Sequence, residues 1–130
     1  MKTLLSPEGW PRPKGYANGI LTSASNTIYI SGQIGWNARR EFDSTEFLAQ
    51  TAQALRNVKA ILEEAGAGPE HMVRMTWYIT DKAAYMENQS EIGAVYREIM
   101  GKNFPVMSVL QVVALVEDKA LVEIEVTAAI

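Results

Sequence analysis

The sequence predicts an α/β (α+β) fold in which two amphipathic helices pack on one face of a β-sheet. Strand and helix patterns follow one another in the order β-β-α-β-α-β-β. Each predicted helix carries one apolar stripe, which has to be buried against another element. The chain has 130 residues, enough for one core, so we expect a single domain over residues 1–130.

The N-terminal part is predicted to be irregular before the first strands. Residues 7–19 are rich in proline and glycine, which favour turns over regular structure. Two short strands are then predicted, Ile20–Leu21 and Thr27–Ser31, with a turn at Ser25-Asn26 between them. The second of these strands ends at a glycine, which lets another group approach the backbone closely.

The first helix has recognisable ends. Asp43 is its predicted N-cap, with Glu46 three residues later as in a capping box. Gly66 is predicted to end the helix in a left-handed conformation. The next segment, Met72–Thr80, alternates in hydrophobicity with the two-residue period of a strand.

The C-terminal half is predicted to contain one helix and two strands. Asp81 caps the helix at its start and Gly101 ends it. Two strands follow, Val106–Leu115 and Ala120–Ala129. We expect them to form a hairpin around the polar turn Glu117-Asp118-Lys119.

The last two strands contain more large apolar residues than one sheet face can hide beneath two helices. Leftover apolar surface is usually covered by self-association, so we expect a homo-oligomer. The residues concerned are Val109, Val112, Val113, Leu115, Leu121, Val122, Ile124 and Val126.

Composition excludes several classes of function. The formal net charge is −3, whereas nucleic-acid binders usually carry a basic face. No apolar run approaches the ~18–20 residues of a membrane span. There is no cysteine and no long apolar N-terminal segment, so we expect a cytoplasmic protein. His71 is the only histidine, which excludes a His-rich metal site, and we expect it to be exposed or to cap a turn.

Two positions are candidates for chemistry. Glu123 and Glu125 lie in an otherwise apolar strand and share one face. They form either a solvent-facing stripe or a site in which one carboxylate lies in a pocket as an acid/base group. Tyr16, between Gly15 and Gly19, either packs in the core or presents its phenol from a loop.

A set of short motifs, in one order along the chain, resembles the Rid (reactive intermediate deaminase) family, also called YjgF or L-PSP endoribonuclease. Each motif is weak by itself, but the ordered set covers residues 16–129. The matching segments are Lys14–Gly19, Ile30–Ile34, Gln50 and Gln53 with Leu55–Val58, Ala65-Gly66, Val73–Asp81, Phe104-Pro105 and Val122–Glu125.

The resemblance implies a chorismate-mutase-like fold, with a mixed sheet and two helices on one face. It also implies a homotrimer with a central barrel and three small-molecule clefts between subunits. Members with the complete motif hydrolyse enamines and imines, such as 2-aminoacrylate, to a ketoacid and ammonia. They need no metal and no organic cofactor, so none is expected here.

One position departs from the family pattern. In members with the full motif, an arginine two residues after Phe-Pro binds the substrate carboxylate, and Met107 stands there in this chain. Losing a desolvated charged contact of this kind costs about 2–5 kcal/mol. Val109 stands where the family often has cysteine, with its backbone N–H still available. Gln111 replaces a frequent glutamate, and by its place in the motif it is expected to bind the substrate together with Met107 and Val109.

The other family site residues are present. By resemblance, Glu123 would act on the attacking water, and Ser31 and Gly32 would line the cleft. Tyr16 would close the cleft from its loop. The resemblance therefore implies a pocket that keeps an acid/base group and lacks its anion-binding arginine.

Three functions follow from these observations. The first is a Rid-type hydrolase acting on a neutral or aromatic imine or enamine, in a cleft without positive charge. A contribution from Arg12 or Arg74 would restore an anion site, but Arg74 lies opposite the apolar face of its strand and is expected to be solvated. The second is a non-catalytic metabolite-binding protein with Met107 as a packing residue. The third, an endoribonuclease, is disfavoured by the negative charge.

Overall fold

The computed structural model describes every residue of the chain, Met1–Ile130, and contains two sheets and three α-helices. No helix is both long and apolar enough to cross a membrane. In chain order the elements are β1 (Lys2–Leu5), β2 (Gly19–Thr22), β3 (Thr27–Ile34), α1 (Phe47–Glu64), a 3-10 turn (Pro69–His71), β4 (Met72–Ile79), α2 (Lys82–Glu87), α3 (Gln89–Met100), β5 (Val106–Gln111) and β6 (Val122–Ala129).

The main sheet is mixed and has the strand order β3-β6-β4-β5. β6 is antiparallel to both of its neighbours, whereas β4 and β5 are parallel. The predicted hairpin between the last two strands is therefore wrong. The helices between β4 and β5 form a crossover, which lets these two strands run parallel and leaves β5 at the edge of the sheet. β6 then pairs with the opposite edge of β4.

The core lies between the sheet and the helices. Alternate residues of β4 and β6 are buried there, and Trp77, Met75 and Ile124 are among the largest of them. The valines and isoleucine of β6 all point toward the helices, because they occupy alternate positions and successive side chains of a strand project to opposite faces. The prediction that β6 leaves apolar side chains uncovered by the helices is therefore wrong. The open face carries the polar residues Arg74, Thr76, Tyr78, Glu123, Glu125 and Thr127.

The first helix begins later than predicted. Its N-cap is Glu46, without a side-chain hydrogen bond, so the capping box at Asp43 is wrong. The Asp43 carboxylate instead accepts a hydrogen bond of 3.1 Å from the Asn37 side chain, within the preceding loop. At the other end the prediction is confirmed, because Gly66 follows the helix with φ of 72°.

The second predicted helix is two helices. Asp81 caps α2 as predicted, accepting hydrogen bonds from the N–H groups of Ala83 and Ala84. The helix breaks at Asn88, whose side chain donates a 2.6 Å bond to the Ala84 carbonyl. Gly101 ends α3 with φ of 68°, also as predicted.

The sequence pattern missed the first strand. β1 pairs with β2 in a separate two-stranded sheet, so β2 and β3 do not form a hairpin across Ser25-Asn26. Lys2 attaches this small sheet to the rest of the chain by donating to the carbonyls of Glu70 and Met72. Partial burial lowers the pKa of the Lys2 ammonium.

Candidate functional site

A cavity of about 430 Å³ lies between α3 and the edge strand β5. Its walls are mainly aromatic and aliphatic, which suits the body of a small organic ligand. The aromatic residues that line it are Tyr16, Trp77, Tyr85, Tyr96 and Phe104.

Met107 and Val109 both line this cavity. In the parallel β4–β5 pair Met107 lies opposite Met75, and Val109 lies opposite Trp77. Met75 and Trp77 are buried on the helix side of the sheet, so Met107 and Val109 also project to that side. The two predicted site residues of β5 thus belong to one binding surface.

Tyr16 lines the cavity from the loop before β2. The next residue, Ala17, is buried, and its N–H donates a 3.0 Å hydrogen bond to the Pro105 carbonyl. Gly15 has φ of 76°, a conformation that glycine adopts without strain. The Tyr16 side chain is 44% exposed, so the structure favours a phenol presented from a loop over core packing.

Two cationic side chains line the same cavity, Arg97 from α3 and Lys14 from the loop. The expectation of a cleft without positive charge is therefore wrong. Neither of the arginines considered from the sequence lines this cavity: Arg74 is exposed and borders a separate depression on the other side of Met107. Arg97 was not among the predicted site residues, because no local sequence pattern indicates that a cavity forms beside it.

The cavity walls are held by specific contacts. The Tyr96 hydroxyl donates a hydrogen bond to the Asn103 carbonyl, and its ring stacks on Phe104 with centroids 5.3 Å apart. Burial raises the pKa of the Tyr96 phenol. Trp77 contacts the Tyr85 ring edge-on, and its buried indole N–H has no acceptor in the chain.

Gln111 does not line the cavity. It ends β5, and its side-chain oxygen accepts a 2.6 Å hydrogen bond from the N–H of Lys82, the first residue of α2. In this chain Gln111 therefore connects the end of a strand to the start of a helix.

Glu123 lies on the open face of the sheet, partly exposed, against β3. A side chain at Gly32 would lie 2.2 Å from a Glu123 carboxylate oxygen, so only glycine leaves room for it. The β3–β6 register shifts between Ile30 and Gln33, as a β-bulge does, and Ser31 lies exposed within this shift. The Gln33 amide donates to the Ser31 carbonyl at 3.1 Å. Gly32 and Glu123 thus lie against each other across the β3–β6 pair, and none of Ser31, Gly32 and Glu123 lines the cavity at β5.

The two glutamates of β6 differ in their contacts. Glu125 accepts a 2.8 Å hydrogen bond from the Tyr78 hydroxyl, which raises the pKa of that phenol. Glu123 makes no ion pair and no hydrogen bond within the chain. Its carboxylate is consequently the free acceptor on this face.

The predicted site residues thus form two groups that one chain does not unite. Met107, Val109 and Tyr16 line the cavity at the β5 edge, on the helix side. Glu123 and Gly32 lie on the opposite face, at β6 and β3. β3 and β5 are the two outer strands of the sheet.

Other residues of the recognised motifs have structural roles. Gln50 is buried and bonds through its side chain to Ser44, Lys119 and Leu121, which attaches α1 to the segment before β6. Asn57 donates to the carbonyls at positions 34 and 36, just after Gly32. These contacts hold the end of β3 in place beside Glu123.

The single histidine caps a turn, as predicted. The Nδ1 atom of His71 accepts a 3.0 Å hydrogen bond from the N–H of Gly68, at the 3-10 turn before β4. No group of three or more histidine, cysteine, aspartate or glutamate side chains is arranged to hold a metal ion.

The fold is a mixed α+β fold that matches solved Rid/YjgF structures. A Rid family protein from Yersinia pestis, described as of unknown function, superposes with a TM-score of 0.85 at 32% identity, over 99% of this chain and 98% of the other. A RidA from the Antarctic bacterium Psychrobacter superposes with a TM-score of 0.71 at 28% identity, over 98% of each chain.

The chain belongs to the Endoribonuclease L-PSP family, whose model matches residues 11–130. It is 34% identical to a RutC family protein of Pyrococcus horikoshii over 127 residues, 96% of this chain and 95% of the relative. It is 32% identical to a protein of Dermatophagoides farinae named 2-iminobutanoate/2-iminopropanoate deaminase, over 95% of this chain and 93% of that protein.

Proposed function

We propose that this protein hydrolyses imines or enamines with an aromatic body, in a cleft that two subunits complete. The relative from Dermatophagoides farinae is named as a deaminase of small 2-imino acids, which supports the reaction class. The substrate differs because Met107 and Val109 stand in an aromatic cavity. That cavity is the single observation on which the substrate class depends.

The reaction needs water and an acid/base group. Water adds to the carbon of the C=N bond, giving a carbinolamine. The C–N bond then breaks, the carbonyl forms and ammonia leaves, so one imine and one water give one carbonyl compound and one ammonia. An enamine first takes a proton on carbon to become the imine. Glu123 is the proposed proton carrier for both steps, because its carboxylate is unpaired within the chain.

The size and lining of the cavity support an aromatic substrate. Five aromatic side chains and Met107 surround a volume of about 430 Å³, and ring stacking adds to apolar burial. Methionine adapts its shape and contacts aromatic rings well. An imino acid as small as 2-iminopropionate would leave most of these contacts unmade.

A homotrimer with a shared cleft is part of this proposal. Within one chain Glu123 and the cavity lie on opposite faces of the sheet, so a complete site takes Glu123 from one subunit and the cavity from its neighbour. The exposed apolar side chains of Leu110, Val113 and Val116 beside β5 provide surface for such a contact. Sedimentation equilibrium would test the trimer, and a monomer at micromolar concentration would contradict it.

The activity is tested by generating imines in place with an amino acid oxidase. Phenylalanine yields the aromatic imine and alanine yields 2-iminopropionate, and semicarbazide traps what the protein leaves unhydrolysed. We expect faster hydrolysis of the aromatic imine, and equal or greater activity on 2-iminopropionate would contradict the substrate class. Glu123→Gln should reduce turnover about 100-fold or more while the protein stays folded. Glu125→Gln is the matched control and should change it little.

Binding without catalysis is the second candidate. The specific observation in its favour is the separation of Glu123 from the cavity in the single chain. In that case aromatic ligands would raise the melting temperature, and no imine would be hydrolysed by the oligomer. Ligand-dependent stabilisation that is the same in Glu123→Gln, with no turnover in either protein, identifies a binding protein.

A further inference from the structure

We infer that Arg97 binds the carboxylate of the substrate, so that the ligand of this cavity is an aromatic acid. This inference rests on the proposed function for the location of the site. In the family pattern described above the arginine lies on β5, at the position of Met107. Here the cation would act from α3, across the cavity from β5.

The helix surface is shaped to accommodate Arg97. Gly93 lies one turn earlier on α3, and both residues line the cavity. A side chain at Gly93 would lie 3.1 Å from a terminal nitrogen of the Arg97 guanidinium. The glycine therefore leaves space for the guanidinium to lie along the helix at the cavity wall, and a larger residue at this position would crowd it.

Arg97 is a cation without a partner. It forms no ion pair and no hydrogen bond from its side chain, although it belongs to a chain with more acidic than basic residues. Its side chain is exposed at the cavity wall, where a ligand can reach the guanidinium. An unpaired guanidinium that lines an aromatic cavity is suited to a planar carboxylate, to which it offers two parallel hydrogen bonds.

Lys14 lines the same cavity from a loop and would assist. An ammonium is a point charge on a flexible stem and does not orient a carboxylate as a guanidinium does. The neutral substrates considered from the sequence would leave both cations unused. An aromatic acid would use the cations and the aromatic walls together.

The experiment compares two probes of the same shape. Phenylpyruvate carries an aromatic ring, a ketone and a carboxylate, and phenylacetone has a methyl group in place of the carboxylate. Binding of each to the intact oligomer is measured by NMR titration, with Arg97→Gln, Arg97→Lys and the control Arg56→Gln. Arg56 is exposed on α1 and does not line the cavity.

We expect Arg97→Gln to weaken phenylpyruvate binding about tenfold and to leave phenylacetone binding unchanged. Arg97→Lys should retain part of the affinity, and Arg56→Gln should retain all of it. Failure of phenylpyruvate to bind the natural protein overturns the inference. The inference is also overturned if Arg97→Gln leaves phenylpyruvate binding unchanged, or if it weakens the binding of both probes equally. The titration measures binding and needs no turnover. Binding that depends on Arg97, without any hydrolysis, would therefore contradict the proposed reaction and leave this inference intact.

Discussion

The cavity at the β5 edge and the open face at the β3–β6 junction divide the predicted site between them. The cavity is lined by aromatic side chains and two cations, lies between α3 and the edge strand β5, and is open to solvent. The open face carries Glu123, partly exposed and unpaired. One region is suited to binding an organic ligand and the other presents a free carboxylate, and in a single chain the sheet separates the two.

The cavity and the open face are formed by different structural features. The cavity depends on packing, since Tyr96 and Phe104 stack beneath it and Trp77 is fully buried in its wall. The open face depends on backbone, since the register shift in β3 and the missing side chain at Gly32 leave room for Glu123.

Complementation between two inactive variants tests the division most directly. Met107→Trp fills the cavity and Glu123→Gln removes the carboxylate, so each variant should be inactive in hydrolysis of the aromatic imine. In oligomers co-expressed at equal levels, about a quarter of the clefts would combine an intact cavity with an intact Glu123, because each comes from a different subunit. Measured activity should rise from none to about a quarter of the natural level. No recovery would mean that both halves come from one chain.

Gly32→Ala should act on the open face alone. The added methyl would meet the Glu123 carboxylate at 2.2 Å, so the carboxylate has to move. A displacement of about 1 Å at a catalytic group lowers turnover about 100-fold, measured as kcat on the aromatic imine. Affinity for phenylpyruvate should not change. In the Glu123→Gln background the same substitution should have no further effect, and an additive loss would contradict this account.

Met107→Arg should act on the cavity alone. A guanidinium at this position would bind the carboxylate of a small 2-imino acid directly, as the family pattern implies. The kcat/KM for hydrolysis of 2-iminopropionate should increase about tenfold. The arginine side chain should also occupy part of the cavity that the aromatic substrate fills. Met107→Lys is the control and should give a smaller gain. An unchanged rate would show that Met107 does not discriminate between these substrates.

The smallest expected effect concerns pH. Burial raises the pKa of Tyr96 above that of an unfolded tyrosine, about 10, so the folded protein holds this proton more tightly. The stabilisation is complete below pH about 10 and is lost as the pH rises further, by up to about 1.4 kcal/mol per pH unit. In urea unfolding, Tyr96→Phe should reduce the decrease of the free energy of unfolding with pH above this value. Tyr78→Phe, on the open face, should flatten it less. If the free energy of unfolding has the same pH dependence in the natural protein, Tyr96→Phe and Tyr78→Phe, this role of Tyr96 is contradicted.

Much of the fold could be predicted from local pattern. Helix ends at Asp81, Gly66 and Gly101 were correct because each depends on a few neighbouring residues. The position of β6 in the sheet was not predictable in the same way. Pairing between strands far apart in sequence depends on the helical crossover from β4 to β5, which no local pattern of β5 or β6 reveals.

The candidate site was predicted in part for the same reason. Tyr16, Met107 and Glu123 were predicted as site residues because their motifs stand in a fixed order along the chain. Arg97 was missed because its sequence neighbourhood is that of an ordinary exposed helix residue. Gln111 was assigned to the ligand from its place in the motif, and the structure gives it a bond to the N–H of Lys82.

Periodicity, caps and motif order are local properties, so they predicted the class of fold, most of the elements and the residue types of the candidate site. Only the tertiary structure decided which face each strand residue occupies and which residues lie side by side. It separated Met107 from Glu123 and placed Arg97 beside the cavity. The physical reason is that a side chain's surroundings come from elements that pack against it, and these elements lie far away in the chain.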